Sequence, residues 1–194
     1  MRVLWARTPA ELPSEADAPC VLILPLSGDD FVRRQQRRAW ALHIAERCFG
    51  FVLGSLKIAT TPTGALRFFD ANGEAELYLS HASRDGVAAV AVARQPVGVD
   101  FEAIGAPFDP AWNILHGSEK TALLALPEED RHTAFLRLWT AKEACVKLTG
   151  QGLYAEPSLL ELTGTHLTDH ASGRRFELDY FASAEFVAAL AMLE

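Results

Sequence analysis

Two carboxylates lie two residues apart in an otherwise apolar stretch of the chain. Residues 98–102 read Gly-Val-Asp-Phe-Glu, and their alternation predicts a strand. Because side chains alternate across a strand, Asp100 and Glu102 are expected to share one face, with their apolar neighbours on the other. Neighbouring carboxylates repel each other unless a cation lies between them, and Mg²⁺ accepts such ligands. Two interpretations stay open: a metal site, or a solvated strand edge with incidental acids.

A second reactive group lies on a helix predicted over residues 128–149. At helical spacing, Trp139, Glu143 and Lys147 form one stripe. In one interpretation the acid and the lysine are an ordinary surface pair beside a half-buried tryptophan. In the other, Glu143 is a metal ligand or a base and Lys147 neutralises phosphate oxygens. Helix periodicity alone does not choose between them.

The third group is Ser80-His81, at the end of a predicted strand. A histidine near a strand end can be a structural hydrogen-bonding residue. It can also donate a hydrogen bond to a phosphate, and the sequence leaves both roles open.

In this order and spacing, the three groups resemble the 4′-phosphopantetheinyl transferase superfamily. The family pattern is Ser-His, then Gly-hydrophobic-Asp-hydrophobic-Glu, then Trp-Ser/Thr-x-Lys-Glu-Ala-x-x-Lys followed by Gly-x-Gly-Leu. The matching segments here are 80–81, 98–102, 139–147 and 150–153. Chain length and an internal repeat resemble the monomeric, two-lobed branch named for surfactin-type transferases. The resemblance implies transfer of the 4′-phosphopantetheine arm of coenzyme A to a serine of an acyl or peptidyl carrier protein, releasing 3′,5′-ADP.

The resemblance also implies roles for individual residues. Three acids would hold Mg²⁺ against the coenzyme A pyrophosphate: Asp100, Glu102 and Glu143. Four residues of the motifs would lie at the cofactor phosphates: Ser80, His81, Lys142 and Lys147. Glu143 is the expected acceptor of the serine proton, with Lys147 assisting catalysis. Glu119 matches a recurrent acid of the family, to which we assign no role from the sequence.

One segment departs from the family pattern. Residues 64–67 read Gly-Ala-Leu-Arg where the family has a Gly-Lys-Pro-like segment that helps to hold adenine. Arg67 is the residue expected to compensate. Arg37 belongs to a basic helix face that either meets the 3′-phosphate of coenzyme A or is simply solvated. The altered segment also supports an alternative function, a catalytically impaired module that binds carrier proteins.

Capping and turn signals predict the elements that position these groups. Asp29-Asp30 predicts the start of a helix that runs to Phe49 and ends at Gly50. Asn72-Gly73 predicts a hairpin turn. Further segments complete the prediction: strands over 87–93 and 97–102, helices over 118–126 and 128–149, and three strands within 158–193.

The chain resembles itself at an offset of one hundred positions, which aligns the ends of the two long helices at Gly50 and Gly150. We therefore predict an internal duplication, with lobes over 1–96 and 97–194. The expected fold is α+β, with two similar lobes in pseudo-twofold arrangement. Each lobe is a long helix packed on a small, mainly antiparallel sheet. The site is expected in the cleft between the lobes.

Charge and cysteine content limit the classes of partner and compartment. The formal net charge of −7 disfavours nucleic acid and anionic membranes as partners. Three widely spaced cysteines without a CxxC pair indicate reduced, structural residues and a cytoplasmic protein. We expect a monomer that acts on coenzyme A and an apo carrier protein.

Overall fold

The computed structural model of the chain describes residues 2–61, 65–105, 111–150, 152 and 156–194. The chain divides into two compact units, an N-terminal unit of Arg2–Val97 and a C-terminal unit of Gly98–Glu194. Each unit combines a sheet with a long helix, which confirms the predicted α+β class. The internal duplication and a site shared by the two halves remain predictions.

The N-terminal unit is built on a six-stranded sheet within the described residues. Its elements are β1 Leu4–Ala6, β2 Cys20–Pro25, α1 Asp30–Phe49, β3 Lys57–Thr60, β4 Leu66–Asp70, β5 Gly73–Arg84 and β6 Val87–Ala93. The strand order is β1-β2-β6-β5-β4-β3, in which β1 and β2 pair in parallel and the other neighbours pair antiparallel. The predicted hairpin joins β4 to β5.

Helix α1 begins and ends where its capping residues predict. The Asp29 side chain accepts a hydrogen bond from the Val32 amide at 2.9 Å. Gly50 ends the helix with a φ of 75°, a left-handed conformation that glycine adopts without steric cost. Ala41, Ile44 and Cys48 are fully buried against the sheet. This packing places the arginine-bearing first half of α1 beside the strands.

The C-terminal unit carries a five-stranded sheet with the order β7-β11-β10-β9-β8, counted over the described residues. Its elements are β7 Val97–Ala103, α2 Gly117–Ala125, α3 Glu128–Thr149, β8 Leu160–Thr163, β9 His166–Asp169, β10 Arg175–Ala182 and β11 Phe186–Leu193. The prediction of three strands in the tail is wrong, because Gly164, at a φ of 63°, turns the chain between two short strands, β8 and β9.

Two further properties concern the whole described chain. Cys20, Cys48 and Cys145 are buried and free. Neither α1, α2 nor α3 combines the length and the apolar character that crossing a membrane requires, within the part of the chain that is described.

Candidate active site

Strand β7 and helix α3 approach each other so closely that position 98 accommodates only glycine. A Cβ atom on Gly98 would lie 1.9 Å from the carbonyl oxygen of Ala144 and 2.7 Å from the amide nitrogen of Leu148. Both are backbone atoms of α3, so relieving the overlap requires the helix itself to move. The glycine that opens the acidic motif therefore sets the spacing between the two elements that carry the candidate site.

Replacing Gly98 by Ala is expected to lower the free energy of unfolding by about 1–3 kcal/mol, the usual cost of overpacking. The same displacement would move Asp100 and Glu102 relative to α3. Urea unfolding measures the first effect. Gly117→Ala is the matched control, since nothing lies within 4 Å of a Cβ atom built there. Equal stability of the two variants would contradict the close approach.

The two faces of β7 differ as the alternation predicts. Val99 and Phe101 are buried, and the Phe101 ring lies 4.7 Å from that of Phe186. Gly98 meets α3 directly, so Asp100 and Glu102, which follow it at two-residue steps, point toward the same helix. Asp100 is only 6% exposed. Asp100 therefore does not lie on a solvated edge, and Glu102 is half-buried.

The predicted stripe of helix α3 provides a hydrogen bond to each of the two acids of β7. Trp139 donates a hydrogen bond from Nε1 to Glu102 Oε1 at 3.0 Å. Lys147 donates from Nζ to Asp100 Oδ1 at 2.7 Å. Glu143 lies four residues from each of these donors, so it occupies the middle of the same helix face. The stripe faces the acidic side of β7 and is not an ordinary surface pair.

The electrostatic environment of Asp100 includes the charges of the other two acids. The pKa of Asp100 is raised from 3.8 to about 6. Burial is the largest cause, Lys147 opposes it, and the charges of Glu102 and Glu143 add to the increase. Between these pH values the unfolded chain has released a proton that the folded chain keeps. Ionisation of Asp100 therefore lowers stability as the pH rises through this window.

Several observations at this site fit a hard divalent cation. Asp100 Oδ2 is buried and has no hydrogen-bond partner among the described residues. Carboxylate oxygens are the ligands that Mg²⁺ prefers, and a cation would stabilise the buried charge of Asp100 and offset its repulsion from Glu102 and Glu143. The acid trio is not a tight cluster: in the described chain, metal-capable groups gather within 4.8 Å at other residues. A site that completes its shell with water and substrate phosphate does not need such a cluster.

Lys142 lies in the same motif as Glu143 but has a different environment. It is 1% exposed, and its ammonium group contacts Glu119 Oε2 at 2.7 Å, the carbonyl of Pro157 at 2.8 Å and the carbonyl of Leu160. An ammonium group has three donors, and these acceptors use them all. This geometry favours a structural role for Lys142 over the phosphate contact that the resemblance implies.

Glu119, to which the sequence assigned no role, connects three elements. It accepts hydrogen bonds from the amides of His116 at 2.9 Å and Leu162 at 2.8 Å, besides pairing with Lys142. The His116 bond is half of a capping box at the start of α2. An acid three residues after a helix N-cap is the sequence signal that would have identified this role.

In the N-terminal unit, Arg37 and His81 line one cavity of about 220 Å³, together with Arg34 and Arg38 of the same helix. Burial lowers the pKa of Arg37, and the neighbouring charge of Arg34 lowers it further. Nε of Arg37 and Nε of Arg38 are buried without a hydrogen-bond partner in the described ranges. These unpaired donors and clustered positive charges suit an anion.

Two other predicted cofactor residues lie outside this cavity lining. Ser80 is next to His81 on β5, so its side chain faces the opposite side of the sheet. Arg67 forms an ion pair with Glu74 at 3.2 Å and lies over the Tyr78 ring at 5.0 Å. Neither of these two Arg67 contacts supports a role for Arg67 in binding the cofactor at the cavity. Three residues of the predicted motifs lie outside the described residues: Gly64, Gln151 and Leu153.

Comparison with known proteins finds a family to which the C-terminal unit is similar. Residues 96–190 match the family model of the 4′-phosphopantetheinyl transferase superfamily. The resemblance predicted from the sequence is therefore confirmed for the C-terminal unit, which carries the acidic strand motif and the helix motif.

One curated relative extends the comparison to a particular protein. The chain is 42% identical over 77 residues to the 4′-phosphopantetheinyl transferase psf-1 of Bacillus pumilus. The aligned segment covers 39% of this chain and 32% of the relative, so the chain matches about a third of that protein's length.

Proposed function

We propose that this chain transfers the 4′-phosphopantetheine arm of coenzyme A to a serine of an acyl or peptidyl carrier protein and releases 3′,5′-ADP. We assign it to the monomeric, surfactin-type branch, acting in the cytoplasm with Mg²⁺. The superfamily match and the name of the relative support the reaction class. The geometry of β7 and α3 supports the residues that would perform it.

The observation that carries this proposal is the pair of hydrogen bonds on either side of Glu143. Trp139 binds Glu102 and Lys147 binds Asp100, so the helix face between them is held against the acidic face of the strand. The charges of Glu102 and Glu143 both raise the pKa of Asp100, which supports placing the three acids at one site.

Asp100, Glu102 and Glu143 are the residues that would hold Mg²⁺. The ion supplies charge neutralisation at the two phosphates of coenzyme A. Asp100 offers its unpartnered Oδ2 for this purpose without giving up the bond from Lys147 to its other oxygen.

Side chains of this protein would accept the proton of the serine hydroxyl and offset the negative charge of the phosphates. The serine hydroxyl oxygen forms a bond to the β-phosphorus of coenzyme A as the bond from that phosphorus to 3′,5′-ADP breaks. Glu143 accepts the hydroxyl proton, and Lys147 places a positive charge near the reacting phosphate. In the N-terminal unit, Arg37 and His81 would bind a phosphate of the cofactor in their shared cavity.

A single assay tests this function and its alternative. Purified protein is mixed with Mg²⁺, coenzyme A and an apo carrier protein, and the carrier is weighed by mass spectrometry. A gain of one phosphopantetheine group is expected. Carrier binding without a gain in mass would instead identify the impaired binding module that the altered 64–67 segment favours.

Asp100→Asn is expected to separate stability from metal binding. Because the variant removes a buried charge, its melting temperature in EDTA at pH 7.5 should equal or exceed that of the parent. Coenzyme A with Mg²⁺ should then raise the melting temperature of the parent more than that of the variant. Exposed Asp17→Asn is the control, with a response like the parent's. An equal Mg²⁺ response in Asp100→Asn would remove Asp100 from the ligand set.

A further inference from the structure

Outside the acidic site, two histidines and a glutamate of the C-terminal unit converge on one point. His116, Glu161 and His170 each offer one ligand atom, and these atoms all lie within 4.8 Å of one another. His116 Nδ1 lies 3.3 Å from Glu161 Oε1, and His170 Nε2 lies 2.8 Å from Glu161 Oε2. The two imidazole rings stack at 5.3 Å between centroids. None of these three residues has a role in the proposed transferase reaction.

Three separate elements bring this cluster together. His116 is the N-cap of α2, and Glu161 lies on β8. His170 follows β9, where its amide donates to the carbonyl of Leu159 at 3.0 Å. Glu161 is therefore fixed on a sheet, and both histidines stand at chain segments held by backbone hydrogen bonds. Such a scaffold orders the three side chains before any ion binds.

We propose that His116, Glu161 and His170 form a binding site for a borderline transition-metal ion of the Zn²⁺ type. Imidazole nitrogen is a ligand for zinc, nickel and copper, whereas Mg²⁺ prefers an all-oxygen shell. A tetrahedral zinc site with bonds of about 2.0–2.1 Å places neighbouring ligand atoms roughly 3.3 Å apart. The 3.3 Å between His116 Nδ1 and Glu161 Oε1 matches this separation, and the 2.8 Å between His170 Nε2 and Glu161 Oε2 is shorter than it.

The site is accessible, and a hydroxyl group lies beside two of its ligand atoms. The side chains of His116, Glu161 and His170 are 33%, 27% and 46% exposed, so an ion can enter from solvent. Ser118 Oγ lies 2.8 Å from His116 Nδ1 and 2.5 Å from Glu161 Oε1. A hydroxyl or a water molecule at this position would complete a four-coordinate shell.

An ion at this site would join the start of α2 to β8. The same two elements are joined by Glu119, which accepts from the amides of His116 and Leu162 and pairs with Lys142. Metal binding would therefore reinforce the support beneath α3 and raise stability by binding the folded chain only. The proposed metal site includes none of the three acids Asp100, Glu102 and Glu143. Its test therefore does not depend on the proposed transferase activity.

Calorimetric titration of the tag-free chain with Zn²⁺, in excess Mg²⁺, tests the site. One equivalent should bind, and the melting temperature should rise. His170→Ala should weaken binding at least about tenfold, since even the loss of an outer partner of a metal ligand typically costs 10–100-fold. Glu161→Gln should do the same. Co²⁺ in place of Zn²⁺ should give visible absorption bands in the parent that His170→Ala lacks.

His166→Ala is the matched control. His166 lies on β9 of the same sheet, is 42% exposed and pairs with Glu194 at 3.2 Å, away from the cluster. Its loss should leave Zn²⁺ affinity unchanged. The proposal is overturned if the parent binds no Zn²⁺, if His170→Ala binds as tightly as the parent, or if His166→Ala loses as much affinity as His170→Ala. His170 is exposed, so its variant should fold.

Discussion

Replacing Glu143 by Gln is expected to leave the chain folded and to lower turnover at least about a hundredfold, the lower end of what a general base contributes. The amide keeps the size of the side chain but cannot accept the serine proton as a carboxylate does. Glu143 lies between the two bonds that hold α3 to β7, and neither bond involves its carboxylate. Removing its charge should therefore change chemistry without releasing the helix.

Steady-state kinetics with an apo carrier protein, accompanied by thermal unfolding, measure this effect. Glu129→Gln is the matched control, since it alters an exposed glutamate in the first turn of the same helix and should keep parental turnover. Near-normal turnover of Glu143→Gln would contradict its role as a base. Recovery of turnover at high Mg²⁺ would assign Glu143 to metal binding alone.

Breaking the Lys142–Glu119 pair is expected to lower the free energy of unfolding by about 3–5 kcal/mol, because one partner is left charged in a buried site. The two side chains are 1% and 3% exposed. Burial lowers the pKa of Lys142, while hydrogen bonding and charge pairing with Glu119 raise it. Glu119→Leu should therefore leave an ammonium group whose desolvation is no longer compensated.

The double variant Glu119→Leu/Lys142→Met separates a structural role from a catalytic one. Replacing a buried ion pair by apolar residues of similar volume is often neutral or stabilising, so the double variant should recover the part of the lost stability that comes from the unpaired ammonium group. The amides of His116 and Leu162 lose their Glu119 acceptor in both variants, so that part of the loss should remain. If Lys142 is structural, the double variant should also retain substantial turnover. A stable but inactive double variant would return Lys142 to the cofactor phosphates, as the resemblance implies. Urea unfolding and the mass-spectrometric assay supply the two measurements.

Local signals in the sequence were sufficient to predict most of the helices and strands. Asp29 and Gly50 delimit α1 because a helix end needs a polar acceptor at one terminus and a left-handed residue at the other. The same reasoning missed the division between β8 and β9, because each strand has only four residues and the turn at Gly164 is short. Alternation along a strand does not reveal where a tight turn interrupts it.

The candidate site was predicted in its residue types but not in its contacts. Alternation placed Asp100 and Glu102 on one face of β7, and helical spacing placed Glu143 between Trp139 and Lys147. Neither pattern states that the two faces meet. That meeting depends on Gly98, whose missing side chain permits the backbones of β7 and α3 to approach.

The sequence by itself determined which residues share a face, where helices begin and end, and which superfamily the motifs resemble, because these depend on neighbours along the chain. Only the tertiary structure decided that Lys147 binds Asp100 while Lys142, five residues earlier, is buried on Glu119. It also brought His116, Glu161 and His170 together from three elements. The environment of a charge is set by the segments that pack against it, and these are distant in sequence.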